Sequence, residues 1–244
     1  MSLLRFKALT FDVVGTLIDF ERGMFDYLHA AAPEVNVREG DFMAAYREAR
    51  ASPLSLFYPD DLERVWTDLA RQFGLPRQAA AGFRASVAHW PAYPDAVAAL
   101  DRLKKYFRLV AATNAQRWAM NCFDPVLGMP FDLTVTCDDT GFEKPDPRYF
   151  FRLKDMLSCQ GIRQADTLHV GRSQFHDIRI AQALGWRTCW MERGPSRAVG
   201  KPVQPDWHFT TLRELADAVE AEAAEQRQCA AGPLFAGPFA VCPS

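Results

Sequence analysis

The sequence feature that most constrains the fold is the segment Phe6–Leu17. An apolar run reaches Phe11 and ends in Asp12, and a Gly-Thr pair follows at positions 15 and 16. Apolar residues that are continuous, as opposed to alternating, are typical of a strand buried on both faces in a parallel sheet. Asp12 would then lie at the carboxyl end of that strand, where open α/β sheets bind their ligands.

Two interpretations of Asp12 are open from this segment alone. Gly15 permits a tight turn over the carboxylate and leaves backbone N–H groups to face an anion. A carboxylate held in such a turn is a candidate covalent nucleophile. Alternatively, Asp12 caps the helix that follows. The rest of the chain has to decide between them.

Residues 20–90 have helical periodicity and little strand signal. Apolar side chains recur three and four positions apart around Phe25, Phe42 and Trp66, and a further helix is predicted near Ala79–Ala88. We therefore predict a helical domain over residues 20–90, inserted directly after the first strand.

Strands alternate with helices from residue 91 onward. The predicted strands are Arg108–Thr113, Leu133–Thr136, Thr167–Val170, Arg187–Met191 and Trp207–Phe209. The predicted helices are Pro94–Lys105, Pro147–Ser158, His176–Leu184 and Leu212–Gln226. This alternation predicts an α/β fold with a doubly wound parallel sheet, built from residues 1–19 and 91–228. Residues 229–244 lack periodicity, so we expect a loosely ordered tail.

Composition limits the classes of partner that the protein is expected to bind and the compartment in which it is expected. A net charge of −2 gives no sign of a nucleic-acid surface, and no apolar run approaches the roughly 20 residues that span a bilayer. No signal-peptide pattern precedes the first strand. Six scattered cysteines, with Cys137 and Cys189 in strand-like runs, predict reduced, mostly buried thiols. We expect a cytoplasmic monomer or homodimer that binds neither nucleic acid nor membrane.

Polar residues that end the predicted strands converge on one edge if the sheet is parallel. They are Asp12 with Gly15 and Thr16, Thr113 with Asn114, Lys144 on a loop between a strand and a helix, and Asp177 just beyond Gly171-Arg172-Ser173. A carboxylate, a hydroxyl–amide pair, a lysine and a second carboxylate would share one crevice. This arrangement favours a catalytic Asp12 over a helix cap.

In the order and spacing of these motifs, the chain resembles the haloacid dehalogenase-like hydrolase superfamily over nearly its whole length. The resemblance implies a Rossmann-like core and makes the helical insertion a cap domain. It also implies that Asp12 is the nucleophile and forms an ester or acyl-phosphate intermediate. Thr113, Lys144 and Asp177 match the remaining motifs.

Two positions depart from the phosphatases of that superfamily. Phosphatases carry a general-acid aspartate two residues after the nucleophile, where this chain has Val14. Metal-dependent members usually read Gly-Asp-Ser where this chain has Arg172, and a guanidinium cannot ligate a cation. Both changes argue against phosphate-ester hydrolysis and for a site that needs no metal or other cofactor. If Mg²⁺ binds, Asp12 and Asp177 would be its ligands.

The nearest resemblance is to the 2-haloacid dehalogenases of the superfamily, because a halide leaving group needs no proton. These enzymes commonly carry a bulky non-acidic residue at the position of Val14, most often Tyr, and an Asn at the position of Asn114 that helps to bind the halide. The expected activity is hydrolysis of small 2-haloacids to 2-hydroxy acids through an aspartyl ester.

The expected mechanism assigns a role to each motif. Asp12 attacks C2 of the haloacid, Lys144 keeps Asp12 ionised, and Asp177 activates the water that hydrolyses the ester. Backbone N–H groups near Gly15 and Thr16, with the Thr113 hydroxyl, stabilise developing charge.

A small anionic substrate needs a cation. Arg50 is the preferred binder and Arg47 the second, while Glu143 is expected to be solvated. Arg172 replaces the missing metal charge by pairing with Asp12 and Asp177, contacts the substrate, or points away; we favour the first.

Two other functions are open. One is a Mg²⁺-dependent phosphatase or phosphonatase-type hydrolase whose leaving groups need no acid. The other is a non-catalytic member of the superfamily with a degraded metal site, which Arg172 supports and the intact Asp12, Lys144 and Asp177 oppose.

Overall fold

The computed structural model describes residues 2–194 and 203–230 of the chain. Most of the tail predicted over residues 229–244 lies outside the described residues, and so does Cys242. Residues 229 and 230 continue the last helix, which therefore runs beyond its predicted end at Gln226.

The described residues form a six-stranded sheet in which every pair of neighbours is parallel. The strands are β1 Ala8–Phe11, β2 Arg108–Ala112, β3 Leu133–Val135, β4 Thr167–Gly171, β5 Arg187–Met191 and β6 Trp207–Phe209. They lie in the order β3-β2-β1-β4-β5-β6, so the direction of winding reverses between β1 and β4. The predicted α/β fold with a parallel sheet is confirmed. A reversal of this kind creates the crevice in which such sheets bind ligands.

Helices fill the stretch between β1 and β2. They are α1 Phe20–Ala31, α2 Glu39–Arg50, α3 Leu62–Phe73 and α4 Ala80–Ala85, followed by a 3₁₀ turn at Ser86–His89 and α5 Ala96–Leu103. In α3, buried Leu62, Val65 and Leu69 recur at helical spacing and form one apolar stripe. The positive φ of Gly74 ends this helix.

We call residues 20–90 the cap and the remainder the core. The division into two domains at these boundaries stays a prediction. Buried side chains of both parts, among them Trp66 of the cap and Leu100 of the core, belong to one apolar cluster.

The remaining helices of the described chain are α6 Arg117–Val126, α7 Cys137–Thr140, α8 Pro147–Cys159, α9 Arg179–Ala183 and α10 Leu212–Ala230. The sequence predicts neither α6 nor α7. Asn121, Asp124 and Pro125 are poor helix formers, and α6 is stabilised by the burial of Met120 and Phe123. The helix predicted to begin at His176 starts earlier, with a π-helical turn at Gln174–Ile178.

Both faces of the sheet are covered. On β1, Leu9 and Phe11 belong to the cluster that includes the cap, α5 and α10, while Ala8 belongs to a second cluster with Tyr149 and Phe150 of α8. Since the faces are occupied, the carboxyl edge of the strands is left as the place for polar chemistry.

The structure tests the predicted location and burial of the cysteines. Cys189 lies buried in β5, but Cys137 begins α7 instead of belonging to a strand. The described cysteines are free, and Cys159 and Cys229 are exposed, so the expectation of mostly buried thiols is wrong for these two.

Among the described residues, no helix combines the length and apolar character needed to cross a membrane.

Gly23 in α1 packs directly against Trp90, which gives a first prediction. A Cβ at position 23 would lie 2.2 Å from Trp90 Cδ1. We expect Gly23→Ala to lower the free energy of unfolding by about 1–3 kcal/mol through overpacking, measured by urea denaturation.

Gly40→Ala in α2 is the matched control, because a Cβ there would meet no atom within 4 Å. It should raise stability by about 0.5–1 kcal/mol. A stabilising effect at both positions would contradict the close packing of α1 on Trp90.

Candidate active site

Asp12 follows β1 directly and is fixed by the turn behind it. Its N–H donates to Val170 O at 2.9 Å, and the Thr16 hydroxyl donates to Asp12 Oδ2 at 2.7 Å. The same hydroxyl accepts the N–H of Arg172 at 2.9 Å. Gly15, with a φ of 95°, occupies the left-handed region that lets the chain turn back so sharply. The carboxylate is therefore held by its own loop.

The backbone N–H groups of Gly15 and Thr16 are used inside this turn. That of Gly15 donates to Ile18 O at 2.8 Å, and that of Thr16 donates to Val13 O at 3.3 Å. Neither residue lines the cleft described below. The contribution of Thr16 to the site is its hydroxyl, which orients Asp12.

Lys144 joins the two carboxylates that the sequence predicts to be catalytic. Its ammonium donates to Asp12 Oδ1 at 3.0 Å, to Asp177 Oδ1 at 2.6 Å and to Ala112 O at 2.8 Å. An ammonium has three donors, so all of them are satisfied. The side chain is buried, and the structure thus brings Asp12, Lys144 and Asp177 into one cluster.

Asp177 is held from several directions. Its Oδ2 accepts the N–H of Ser173 at 3.1 Å, and His169 Nε2 lies 3.4 Å from its Oδ1. A Cβ on residue 171 would come within 2.6 Å of the Asp177 Cβ, so the close approach of this side chain requires Gly171. The sequence predicts no role in the site for His169, although a histidine inside the apolar run of β4 was a usable signal.

The charges of the cluster shift two pKa values in opposite directions. Burial and the charge of Asp177 raise the pKa of Asp12 to about 6, against the opposing effects of Lys144 and the Thr16 hydroxyl. Burial also disfavours ionised Asp177, but the Lys144 ammonium, helped by His169, holds the pKa of Asp177 below its usual range. At neutral pH both carboxylates are ionised, and Asp12 is the one closer to taking up a proton.

Thr113 and Asn114 follow β2 at the same edge. The Thr113 hydroxyl accepts the N–H of Ala115 at 3.1 Å. Asn114 clamps the loop that carries the lysine, because its Nδ2 donates to Lys144 O at 2.8 Å and its Oδ1 accepts the Lys144 N–H at 2.7 Å. The amide predicted to bind a halide therefore also positions Lys144.

A cleft of about 470 Å³ lies over Asp12, with walls from both the core and the cap. Its apolar and aromatic surface comes from Val14, Phe20, Tyr46, Tyr58 and Phe175. The lining also includes Thr113, Asn114, Lys144, Asp177 and the three predicted substrate-binding arginines, Arg47, Arg50 and Arg172.

The two cap arginines differ in their contacts. Arg50 Nη1 donates to the buried Asp61 Oδ2 at 2.8 Å, and its Nη2 lies 3.4 Å from Glu143 Oε2. Arg47 lines the cleft, and its side chain makes no hydrogen bond or ion pair with any residue that the structure describes. The preferred binder, Arg50, thus has carboxylate partners already, whereas Arg47 has a charge available for a ligand.

Glu143 is a site residue that the sequence analysis missed. It is not solvated as expected, since its Oε1 accepts the Tyr58 N–H at 2.7 Å while its other oxygen meets Arg50. Its side chain is 22% exposed. Glu143 therefore joins the cap to the loop of Lys144, and its place next to that lysine was the signal.

Arg172 is 6% exposed and forms an ion pair with Glu21 of the cap, Nη2 to Oε1 at 2.6 Å. Its guanidinium also lies over the Phe20 ring, 5.5 Å from the centroid. The ion pair places a fixed positive charge beside the turn of Asp12. The expected pairing of Arg172 with Asp12 and Asp177 stays a prediction.

The donor set at this edge does not suit Mg²⁺. No group of three or more His, Cys, Asp or Glu side chains in residues 2–194 and 203–230 is arranged to hold a metal ion. Asp12 and Asp177 share Lys144, and a guanidinium stands where metal-dependent members of the superfamily carry a carboxylate. Mg²⁺ prefers several oxygen ligands in octahedral geometry. We therefore derive no step through a metal ion.

Comparison with solved structures shows the same fold. The L-2-haloacid dehalogenase from Xanthobacter autotrophicus with chloropropionic acid covalently bound superposes with a TM-score of 0.74 and 19% identity, covering 88% of this chain and 98% of that one. The putative HAD-hydrolase YfnB from Bacillus subtilis, bound to magnesium, gives a TM-score of 0.74 and 20% identity over 88% of this chain and 99% of its own.

Comparison with known sequences shows the family. A phosphoserine phosphatase from Thermus thermophilus is 29% identical over 162 residues, and the match spans 63% of this chain and 63% of that relative. A family model for haloacid dehalogenase-like hydrolases matches residues 6–185. The resemblance found in the sequence is thereby confirmed, and the chain belongs to the haloacid dehalogenase-like hydrolases.

Proposed function

We propose that this hydrolase cleaves the carbon–halogen bond of small 2-haloacids and releases 2-hydroxy acids. The observation that carries the proposal is the combination of an intact Asp12–Lys144–Asp177 cluster with Val14 in place of a general acid. A phosphate ester that leaves as an alkoxide needs a proton, whereas a halide leaves without one. Val14 lines the cleft and has no proton to give.

In the first half-reaction, an oxygen of Asp12 attacks C2 of the haloacid, the carbon–halogen bond breaks and the halide leaves with the electron pair. Lys144 and Thr16 orient the carboxylate through hydrogen bonds of 3.0 and 2.7 Å. Because the pKa of Asp12 is near 6, the group is ionised at neutral pH and more basic than an ordinary aspartate.

In the second half-reaction, a water attacks the carbonyl carbon of the ester. Asp177 accepts the proton of that water, and Lys144 or Thr16 stabilises the charge that develops on the free ester oxygen. Collapse of the intermediate breaks the bond between the carbonyl carbon and the 2-oxygen of the product. That oxygen takes up the proton held by Asp177, so the 2-hydroxy acid is released and Asp12 and Asp177 are both restored as carboxylates. Asp12 thus gives one of its oxygens to the product and receives one from water.

Arg47 is our candidate for the substrate carboxylate. It supplies a positive charge at the cleft without a carboxylate partner among the described residues, and Arg50 is committed to Asp61 and Glu143. Binding the carboxylate at Arg47 would leave C2 between the cap and Asp12.

A second candidate is a phosphatase, favoured by the similarity to the Thermus phosphoserine phosphatase. It requires Mg²⁺ and a leaving group that departs without an acid. Val14 and Arg172 both weigh against it. A non-catalytic role would be favoured by Arg172 alone, against the intact cluster around Lys144.

The ester route predicts where oxygen from water goes. In a single turnover with 2-chloropropionate in ¹⁸O-water, the label should enter Asp12, while the first product carries oxygen from the protein. Mass spectrometry of the peptide that contains Asp12 measures this. Asp12→Asn should release no halide, and ¹⁸O in the product with none in Asp12 would contradict the route.

The raised pKa of Asp12 predicts loss of activity in acid. Since only the ionised carboxylate attacks, kcat/KM should fall about tenfold per pH unit below the pKa of about 6. Asp177→Asn, which removes the neighbouring negative charge, should retain a single burst of halide release whose midpoint lies at lower pH. A midpoint that is unchanged or higher would contradict the assigned cause of the shift.

The donor set predicts a reaction independent of metal. EDTA should leave halide release by the wild-type protein unchanged. Arg172→Asp should create measurable Mg²⁺ binding in isothermal titration calorimetry, while the control Arg172→Leu, which removes the charge without adding a ligand, should not. Loss of wild-type activity in EDTA and its recovery with Mg²⁺ would favour the phosphatase-type site.

A further inference from the structure

A buried histidine of the core carries none of the proposed reaction steps. His169 lies on β4, is fully buried and contacts two polar side chains. Thr10 Oγ1 lies 2.9 Å from its Nδ1, and Asp177 Oδ1 lies 3.4 Å from its Nε2. Thr10 is directly opposite His169 in the register of β1 and β4, and the Phe150 ring packs against the imidazole with centroids 5.2 Å apart. The imidazole is therefore held from three sides.

The two polar partners assign the tautomer of His169. Burial lowers the pKa of His169, against the opposing effect of Asp177, so the imidazole is neutral at neutral pH and carries one proton. Ionised Asp177 has no hydrogen to donate, so that proton is on Nε2 and points to the carboxylate. Nδ1 is then an acceptor, and the Thr10 hydroxyl donates to it.

His169 affects which oxygen of Asp177 can serve as the base. Each oxygen of a carboxylate accepts about two hydrogen bonds. Oδ1 accepts from Lys144 at 2.6 Å and from His169 at 3.4 Å, so both of its positions are occupied. Among the residues that the structure describes, Oδ2 accepts only the Ser173 N–H, at 3.1 Å. Oδ2 is therefore the oxygen that can still take a proton from water.

We propose that His169 is a positioning residue for hydrolysis of the aspartyl ester, and that Thr10 holds it in the tautomer that this role requires. The inference rests on the proposed dehalogenase function. The Nε2–H occupies Asp177 Oδ1, and the proton of the attacking water passes to Oδ2. His169 keeps its own proton throughout, and the proton on Oδ2 moves to the 2-oxygen of the product when the ester bond breaks.

This role is confined to the second half-reaction. In the first, Asp12 attacks the substrate, and Asp177 acts only through its negative charge. Lys144 keeps Asp177 ionised whether or not the imidazole is present. Loss of the imidazole therefore leaves the charges around Asp12 in place but allows the Asp177 carboxylate to turn. A misplaced base slows proton transfer from water without slowing displacement of the halide.

Separate measurement of the two half-reactions by rapid quench tests the role. His169→Leu should release one equivalent of halide at about the wild-type rate and then turn over about tenfold more slowly, because the base is misplaced. The ester should accumulate and be visible by intact-protein mass spectrometry. His169→Gln should recover most of the rate, since its amide can donate to the same Asp177 oxygen. His208→Leu is the matched control, because His208 also contacts a carboxylate, that of Glu192, but on the exposed surface.

Nitrogen-15 NMR tests the tautomer without any turnover. In the wild-type protein, His169 Nδ1 should have the chemical shift of an unprotonated nitrogen and Nε2 that of a protonated one. Absence of these signals from His169→Gln assigns them. Thr10→Val removes the hydroxyl that holds the ring and should reproduce part of the slowing, whereas Thr10→Ser keeps the hydroxyl and should match wild type.

Equal slowing of both half-reactions in His169→Leu, or wild-type turnover in that variant, would overturn the proposal. A protonated Nδ1, or wild-type turnover in Thr10→Val, would overturn the part assigned to Thr10. A burst of halide followed by slow ester hydrolysis, with recovery in His169→Gln, supports the role. If the wild-type protein releases no halide from any haloacid, the dehalogenase function itself is wrong. An Nε2–H tautomer would then establish the hydrogen bonds of His169 without a role in ester hydrolysis.

Discussion

The site depends on a buried ammonium placed between two carboxylates. Lys144 donates to Asp12 at 3.0 Å and to Asp177 at 2.6 Å, and one positive charge cannot neutralise both. Asp177 has the shorter contact and the additional neighbour His169, so its pKa is held low. Burial and the repulsion from Asp177 that Lys144 does not offset disfavour the ionised form of Asp12, and they raise its pKa to about 6. The basicity of Asp12, the proposed nucleophile, is therefore set by the competition of two carboxylates for one cation. Removing Lys144 would leave two adjacent buried negative charges, and uncompensated buried charge of this kind costs about 3–5 kcal/mol.

The topology of the sheet gathers these groups. Phe11 pairs with Val170 in the register of β1 and β4, so Asp12, directly after β1, lies beside Gly171, the last residue of β4, at the point where the winding reverses. Lys144 reaches them from the loop before α8, and that loop is tied to the end of β2 by both ends of the Asn114 amide. Each group comes from a different loop, yet each loop is anchored to a neighbouring strand. The positions of all three groups are thereby tied to the edge of the sheet.

The sequence was sufficient for what depends on local pattern and chain order. Continuous apolar runs predict the strands, and the rule that parallel strands end at one edge is enough to place Asp12, Lys144 and Asp177 together. The sequence did not predict which partners the long side chains contact in the folded protein. Arg50 and Arg47 are three residues apart on α2, and their different roles depend on Asp61 and Glu143, which the chain brings near only when folded. Helix α6 is another such case, because burial outweighs the poor intrinsic propensity of Pro125 and its neighbours.

Core and cap divide the chemistry between them. The core carries Asp12, Lys144 and Asp177, to which we assign the chemical steps. Val14 and Arg172 stand where phosphatases of the superfamily carry a proton donor and metal-dependent members carry a metal ligand. The proposed activity fits this composition, because a halide departs as a stable anion and needs no proton. The cap meets the core through Glu143, which contacts Arg50 and the Tyr58 backbone and directly precedes Lys144 in the chain. The cap wall of the cleft is thus joined to the loop that carries Lys144. Because Glu143 makes both contacts, the position of the loop that carries Lys144 is linked to the position of the cap.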